Sequence, residues 1–242
     1  MNILIVNDDG IRARGIQLLV KAASRYGKLF IVAPKTQQSA VSQGITIHEP
    51  LQIDEEPDLF PEHMAWSISG KPADCVKVAL EYLRLDIDLV LSGVNDGPNL
   101  GTDILYSGTV AGATEASIFN IPSIALSTDF GSWEIAEREI DEVLSYIMNA
   151  DFLYPGLILN VNFQLQSHRQ AKGIRWTRQG HRIFSAKFRH DNGRYWQEGN
   201  WVETENKLDS DVSAVTEGYI SITPLGVDRT VHDFAPLNQS DD

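Results

Sequence analysis

Cysteine occurs once in the 242 residues, at Cys75, so no internal disulfide can form and no thiolate-rich metal site can be assembled. That usage fits a reducing compartment, and the cytoplasm is the expected location. Long apolar runs are missing too. The opening Met1-Asn2-Ile3-Leu4-Ile5-Val6 carries no basic flank and is broken at once by Asn7-Asp8-Asp9, so neither a secretory leader nor a membrane span is expected. Positive charge is scarce: 20 Lys and Arg stand against 33 Asp and Glu, a formal net charge of -13. Such a balance opposes binding to long nucleic acids, which requires cations to neutralise phosphates. A small phosphorylated ligand stays admissible if a metal ion, backbone N–H groups or a few cationic side chains offset its charge locally. Also absent are a Gly-x-Gly-x-x-Gly after the first apolar run and a P-loop Gly-Lys-Ser/Thr, which argues against dinucleotide and P-loop chemistry.

What is present alternates. Asn2–Val6, Leu29–Ala33, Asp88–Ser92, Ser123–Ser127 and Leu157–Val161 read as buried strands. Between them, Ile16, Leu19, Ala22, Ala23 and Tyr26 recur at helical spacing, as do Val76, Val78, Ala79 and Leu83 in a segment opened by Pro72. Further helices are expected from Ser107-Gly108-Thr109 to Ile118 and from Glu134 to Met148. This order predicts an α/β, Rossmann-like core with a mostly parallel sheet flanked by helices, spanning residues 1–163. From 164 to 242 the pattern changes. Trp176, Phe184, Phe188, Tyr195, Trp196 and Trp201 sit among Arg, Gly, Asn and Asp without a helical period, which predicts a C-terminal β-hairpin or extended arm. A strand ended by Pro224 and a short closing helix over Val227–Phe234 complete the expectation. The acidic stretch Asp54-Glu55-Glu56-Pro57-Asp58 reads as a solvated loop rather than a metal site.

Chemistry concentrates where such sheets bind ligands, beyond the carboxyl ends of the strands. Asn7-Asp8-Asp9-Gly10 follows the first strand, and two adjacent carboxylates stay ionised most readily beside a cation. Mg²⁺-like ions take carboxylate, water and phosphate oxygens. A solvated Asp-Gly turn is the ordinary alternative. The run Gly93-Val94-Asn95-Asp96-Gly97-Pro98-Asn99-Leu100-Gly101 reads as a loop in which Asn95 offers a neutral oxygen; a flexible connection explains it equally well. Ser107-Gly108-Thr109 offers hydroxyls and unpaired N–H groups at a helix start, the chemistry that receives phosphate, although a plain N-cap would look the same. The loop Gln37-Gln38-Ser39-Ala40-Val41-Ser42 brings hydroxyls to the same edge. Convergence of these loops points to metal-assisted attack on a phosphate ester.

These residues together resemble the SurE family, the survival-protein-type 5′/3′-nucleotidases, over nearly the whole chain. The shared motifs are Asn7-Asp8-Asp9-Gly10 with Gly15; Val32-Ala33-Pro34 with Gln38-Ser39, Ser42 and Thr46; and Ser69-Gly70 with Pro72-Ala73-Asp74-Cys75-Val76. They continue as Ser92-Gly93-Val94-Asn95, Gly97, Asn99, Gly101, Asp103 and Tyr106-Ser107-Gly108-Thr109-Val110, then Asp211, Ala214 and Gly218–Leu225. Arg14, Ala40 and Ser210 stand where proline, glycine and threonine are commoner. The resemblance implies one divalent ion per subunit, Mg²⁺ or Mn²⁺, held by Asp8, Asp9, Ser39 and Asn95, with Asp8 and Asp9 catalytic. It implies phosphate or substrate contacts at Asn7, Gly10, Asn95, Ser107, Gly108 and Thr109. It further implies hydrolysis of nucleoside 5′-monophosphates, with 3′-monophosphates as further candidates, by a homodimer or dimer of dimers with exchanged C-terminal arms. Alternatives are a nucleotide- or metal-binding sensor without turnover, a polyphosphate-directed phosphohydrolase, and a metal-dependent glycosyl or nucleotidyl transferase.

Overall fold

The computed structural model describes residues 1–150, 152–202 and 204–230. The first strand, β1 (Asn2–Val6), leads into α1 (Arg14–Ala23) and β2 (Lys28–Pro34). Next come β3 (Ile53–Glu55), β4 (Met64–Ile68), α2 (Pro72–Lys77) with one wider helical turn to Tyr82, and β5 (Leu89–Asp96). A 3₁₀ turn, Gly101–Leu105, precedes α3 (Gly108–Ile118), β6 (Ser123–Thr128), α4 (Trp133–Met148) and β7 (Ile158–Asn162). The chain continues through β8 (Ile174–Trp176), β9 (Ile183–Asp191), β10 (Arg194–Val202), α5 (Asp211–Thr216) and β11 (Ile220–Leu225). Nine strands form one sheet in the order β3-β4-β2-β1-β5-β6-β7-β11-β8. The run from β4 to β7 is parallel, while β3 and β11 pair antiparallel with β4 and β7.

Strands of this kind are buried on both faces, which explains their unbroken apolar runs. Alternate side chains of β1 point to opposite sides. Ile3 and Ile5 join Ile16 and Leu19 of α1 and Ile140, Val143 and Leu144 of α4 in one core layer. Leu4 and Val6 join Val76 of α2 and Ala116 of α3 in the other. Because β1, β2, β5 and β6 are parallel, their carboxyl ends lie on one edge, and that edge gathers the loops of the site. Among the described residues no helix is long and apolar enough to cross a membrane.

Four expectations are corrected. The acidic stretch is not wholly a loop: Ile53–Glu55 form β3, with Asp54 paired to Lys35 and Glu56 bonded to Arg12 (2.9 Å) and to the Ser67 hydroxyl (2.8 Å). The polar run after β5 is partly strand, since β5 extends to Asp96 across an irregularity that sets Ser92 opposite Ala125 but Asn95 opposite Ser127. Proline does not end β11, which runs to Leu225. Its neighbour β8 is paired only as far as Ile222, so Pro224 sits where the ladder is one-sided and no N–H is missed. Residues 227–230 are not helical, and the rest of the expected closing helix, to Phe234, lies outside the described residues.

The expected arm is a two-stranded hairpin, β9 with β10, turned by Asn192 and Gly193, both at positive φ (48° and 74°). Such a pair of left-handed residues fits the tight hairpin turn whose twist matches its strands. Register places Phe184, Phe188, Tyr195 and Trp201 on one face and Lys187, Arg189, Arg194 and Glu198 on the other. The arm is rooted by Arg182, which pairs with Asp103 at 3.0 Å and lies 4.2 Å from the Trp201 ring centroid.

Candidate functional site

Asp8 and Asp9 emerge where β1 ends. Asn7, fully buried, uses its amide on the turn itself: Nδ2 donates to the Gly10 carbonyl (2.9 Å) and Oδ1 accepts from the Gly10 N–H (3.3 Å). Asn7 and Gly10 therefore brace the turn with the polar groups expected to reach substrate. Asp8 is 5% exposed. Burial pushes its carboxyl up to about 6, against a hydrogen bond donated by the Thr109 hydroxyl and with some help from the Asp9 charge. Burial also raises Asp9, whose oxygens accept from the Gln37 side chain (3.1 Å) and the Asp96 N–H (3.3 Å).

The start of α3 faces this pair at van der Waals range. A Cβ on Gly108 would lie 2.7 Å from Asp8 Cβ and 2.9 Å from Asp8 Oδ2, so only glycine permits the approach. Ser107 uses its hydroxyl as the N-cap, accepting from the Val110 N–H at 3.0 Å. Thr109 gives its hydroxyl to Asp8. The Ser107 hydroxyl still has its own proton to donate, and the Gly108 N–H, first in the helix, has no acceptor within it, whereas the Thr109 N–H also faces the Asp8 carboxylate. Such N–H groups, with the helix dipole behind them, favour an anion.

Ser39 lies on the loop after β2. The neighbouring Gln38 N–H donates to the Asp8 carbonyl at 2.7 Å, which fixes the loop beside β1. Further along, the Ser42 hydroxyl donates to Leu105 O (2.7 Å), the Gln43 amide to Glu115 (2.8 Å) and the Thr46 hydroxyl to Asp74 (2.7 Å). Ser39 itself is exposed. Asn95, on β5, donates its Nδ2 to Gly97 O at 2.7 Å, which turns its oxygen the other way. Gly93, at φ +129°, enables the irregularity that aims Asn95: a Cβ there would come within 2.3 Å of Leu126 O. Beyond Asn95 the chain is locked by a buried network in which Asn99 N donates to Asn162 (2.8 Å), Asn99 Nδ2 to Ser127 (2.8 Å), and Asn160 Nδ2 to Asn99 O (2.9 Å).

Asp8, Asp9, Gly108, Thr109, the loop bearing Ser39 and the end of β5 bearing Asn95 are thus brought to one edge. Gln37 and Asp96, which hold Asp9, were not singled out by sequence reasoning, and no local pattern marks them. Among the described residues no three His, Cys, Asp or Glu side chains cluster as a metal-binding group, and neither Asp8 nor Asp9 makes an ion pair. Two carboxylates without a cationic partner, bordered by an amide and a hydroxyl, form an all-oxygen donor set suited to a hard divalent ion. The residues present fit such an ion.

Comparison with known proteins identifies the family. A family model described as Survival protein SurE matches residues 3–186. The 5′-nucleotidase SurE of Alkaliphilus metalliredigens is 41% identical over 240 residues, covering 95% of this chain and 94% of the relative. That of Clostridium beijerinckii is 41% identical over 248 residues, covering 98% and 97%. The crystal structure of the SurE protein from Aquifex aeolicus is similar with a TM-score of 0.79 at 36% identity, covering 96% of this chain and 95% of that one. With its parallel sheet, its carboxylate pair and full-length relatives at this identity, the chain belongs to the SurE family.

Proposed function

We propose that this chain is a divalent-metal-dependent 5′-nucleotidase, hydrolysing nucleoside monophosphates to nucleoside and phosphate at the edge formed by β1, β5 and α3. The relatives' shared name supports the activity. The observation that carries the site is the contact between opposites: the helix start at Gly108, which favours an anion, lies so close to the Asp8 carboxylate, which favours a cation, that a side chain on Gly108 would come within 2.9 Å of Asp8 Oδ2. A phosphate monoester carries oxygens that can satisfy both at once.

In this reading Asp8 and Asp9 would hold one ion, Mg²⁺ or Mn²⁺, with Asn95 Oδ1 and the Ser39 hydroxyl as further oxygen donors. The ion supplies charge stabilisation for the phosphate oxygens. The Gly108 N–H and the Ser107 hydroxyl donate to those oxygens and orient the ester. A water in line with the ester bond attacks phosphorus and passes its proton to the carboxylate pair; the phosphorus–oxygen bond breaks and the nucleoside leaves as its alcohol on taking up that proton. Thr109 keeps Asp8 oriented throughout. Asn7 and Gly10 act by holding the turn.

We assign the hairpin arm to assembly, with a homodimer or dimer of dimers formed by exchange of β9 and β10, and residues 164–242 to completing the sheet and carrying that arm. The reducing compartment suggested by a single buried thiol is the cytoplasm. Phosphate release from a panel of 5′- and 3′-nucleotides, with Mg²⁺ or Mn²⁺ and with a chelator, tests the reading. Release from nucleotides that the chelator abolishes is expected; binding without turnover would favour a sensor.

A further inference from the structure

Two exposed aromatic side chains stand on the ligand edge, outside the arm: Tyr106, 65% exposed, and Phe130, 64%. Neither ring stacks on another aromatic or a cation among the described residues. They differ in how they are held. The Tyr106 side chain has no polar partner among the described residues. Phe130 sits on a braced turn between β6 and α4: the Gly131 N–H donates to Asp96 Oδ1 (2.7 Å), the Gln166 N–H to Asp129 Oδ2 (3.0 Å), and the Ser132 N–H to Asp129 O (2.9 Å).

One part of the Phe130 ring rests on Gly97, where a Cβ would come within 2.5 Å of Phe130 Cε1. Gly97 is itself tied to the turn, its N–H donating to Thr128 O at 3.0 Å. The residue before it, Asp96, donates its N–H to Asp9 at 3.3 Å. Phe130 is therefore fixed to the backbone that braces Asp9, about one Cα–Cα step of 3.8 Å beyond Asp96. The ring and the carboxylate pair are thus carried by adjoining segments that follow β6, β5 and β1 on one edge of the sheet.

We propose that Phe130 is the specificity-determining platform for the nucleobase, which stacks on its exposed side while the phosphate binds at the edge that bears the Asp8-Asp9 pair and the start of α3. The inference rests on the nucleotidase reading and adds to it the part of the substrate that no phosphate-binding group can recognise. A base offers a π face whatever its hydrogen-bonding edge, so a phenyl ring on a rigid turn selects nucleotides over other phosphate esters without strict base preference.

The test compares a nucleoside 5′-monophosphate with ribose 5-phosphate, the same ester without a base, in the full-length protein with its divalent ion. Phe130→Ala is expected to raise KM for the nucleotide roughly tenfold, leave kcat within about twofold, and leave both constants for ribose 5-phosphate unchanged. Phe130→Trp should restore the nucleotide KM. Because Phe130 is exposed, the variants keep the melting temperature of the parent. Equal effects on the two substrates, no effect on either, or a base-dependent KM change in Tyr106→Ala but not Phe130→Ala would overturn the platform while leaving the nucleotidase reading standing. A parent protein that turns over ribose 5-phosphate and refuses nucleotides would overturn both.

Discussion

Thr109 donates its hydroxyl to the Asp8 carboxylate across 101 residues of sequence, joining the end of β1 to the first turn of α3. The Thr109 N–H faces the same carboxylate, so residue 109 holds Asp8 in its buried position through both side chain and backbone. Thr109→Val keeps the shape and removes the donor, leaving a buried acceptor under-satisfied at a cost on the order of 1–3 kcal/mol. The expected result is a lower urea midpoint at pH 7 together with reduced phosphate release, with Thr109→Ser close to the parent in both. Equal stability of the Val and Ser variants would show that Asp8 does not depend on this bond.

Gly108 sets two effects against each other. Replacing a helical glycine by alanine favours the helix by about 1 kcal/mol. Here the added Cβ would meet Asp8 Cβ at 2.7 Å and Gln38 O at 3.1 Å, and neither belongs to the free end of a flexible chain. Steric cost should win, as overpacking typically costs about 1–3 kcal/mol. Gly108→Ala is expected to lower the melting temperature and to reduce kcat at least tenfold, since relief requires moving Asp8 or the helix start. A more stable and fully active variant would mean that α3 stands farther from β1.

Stability should depend on pH through the root of the arm. Burial raises Asp103 to about 6, with Arg182 pulling it down and Asp211 pushing it up. A carboxyl with a raised folded value binds protons more tightly when folded. Its contribution is therefore fully present below about 4 and is lost as pH rises through about 6. The window spans roughly two pH units, at most about 3 kcal/mol. Urea midpoints between pH 4 and 7 should fall less steeply in Asp103→Asn than in the parent; parallel curves would remove Asp103 as the cause.

Much of the frame was legible because β1, β2, β5 and β6 are buried on both faces and leave unbroken apolar runs, while α1 and α4 bury one stripe each. What escaped was short or governed by partners far away in sequence. Residues 53–55 form a strand although two are acidic, because β4 supplies the pairing and Lys35 the charge for Asp54. Met64–Ile68 mixes Met, Trp and Ser without an unbroken apolar run, and Ile174–Trp176 is too short to show a period. In the site, the clustering of Asp-Asp, Asn95 and the Ser107–Thr109 turn on one edge followed from strand order. The use of the Ser107 hydroxyl as a cap, of Asn7 as a brace and of Thr109 as a donor to Asp8 did not, because each depends on a contact that spacing alone does not specify.

The arm's aromatic face gives an independent test of assembly. Phe188 and Tyr195 are 67% and 72% exposed, so charge there leaves the single-chain fold intact. The double replacement Phe188→Glu with Tyr195→Glu is expected to reduce the mass measured by light scattering to that of one chain, 26.9 kDa. An unchanged larger mass would place the interface elsewhere.

The most direct test of the central claim is the metal dependence of phosphate release by Asp8→Asn and Asp9→Asn. Both substitutions keep the shape and remove one negative charge from the pair. Each variant should retain its fold by circular dichroism and lose release of phosphate from nucleoside 5′-monophosphates by ~100-fold or more at saturating Mg²⁺ or Mn²⁺, with weakened binding of the ion by calorimetry. Full turnover with undiminished metal affinity in either variant would contradict the account.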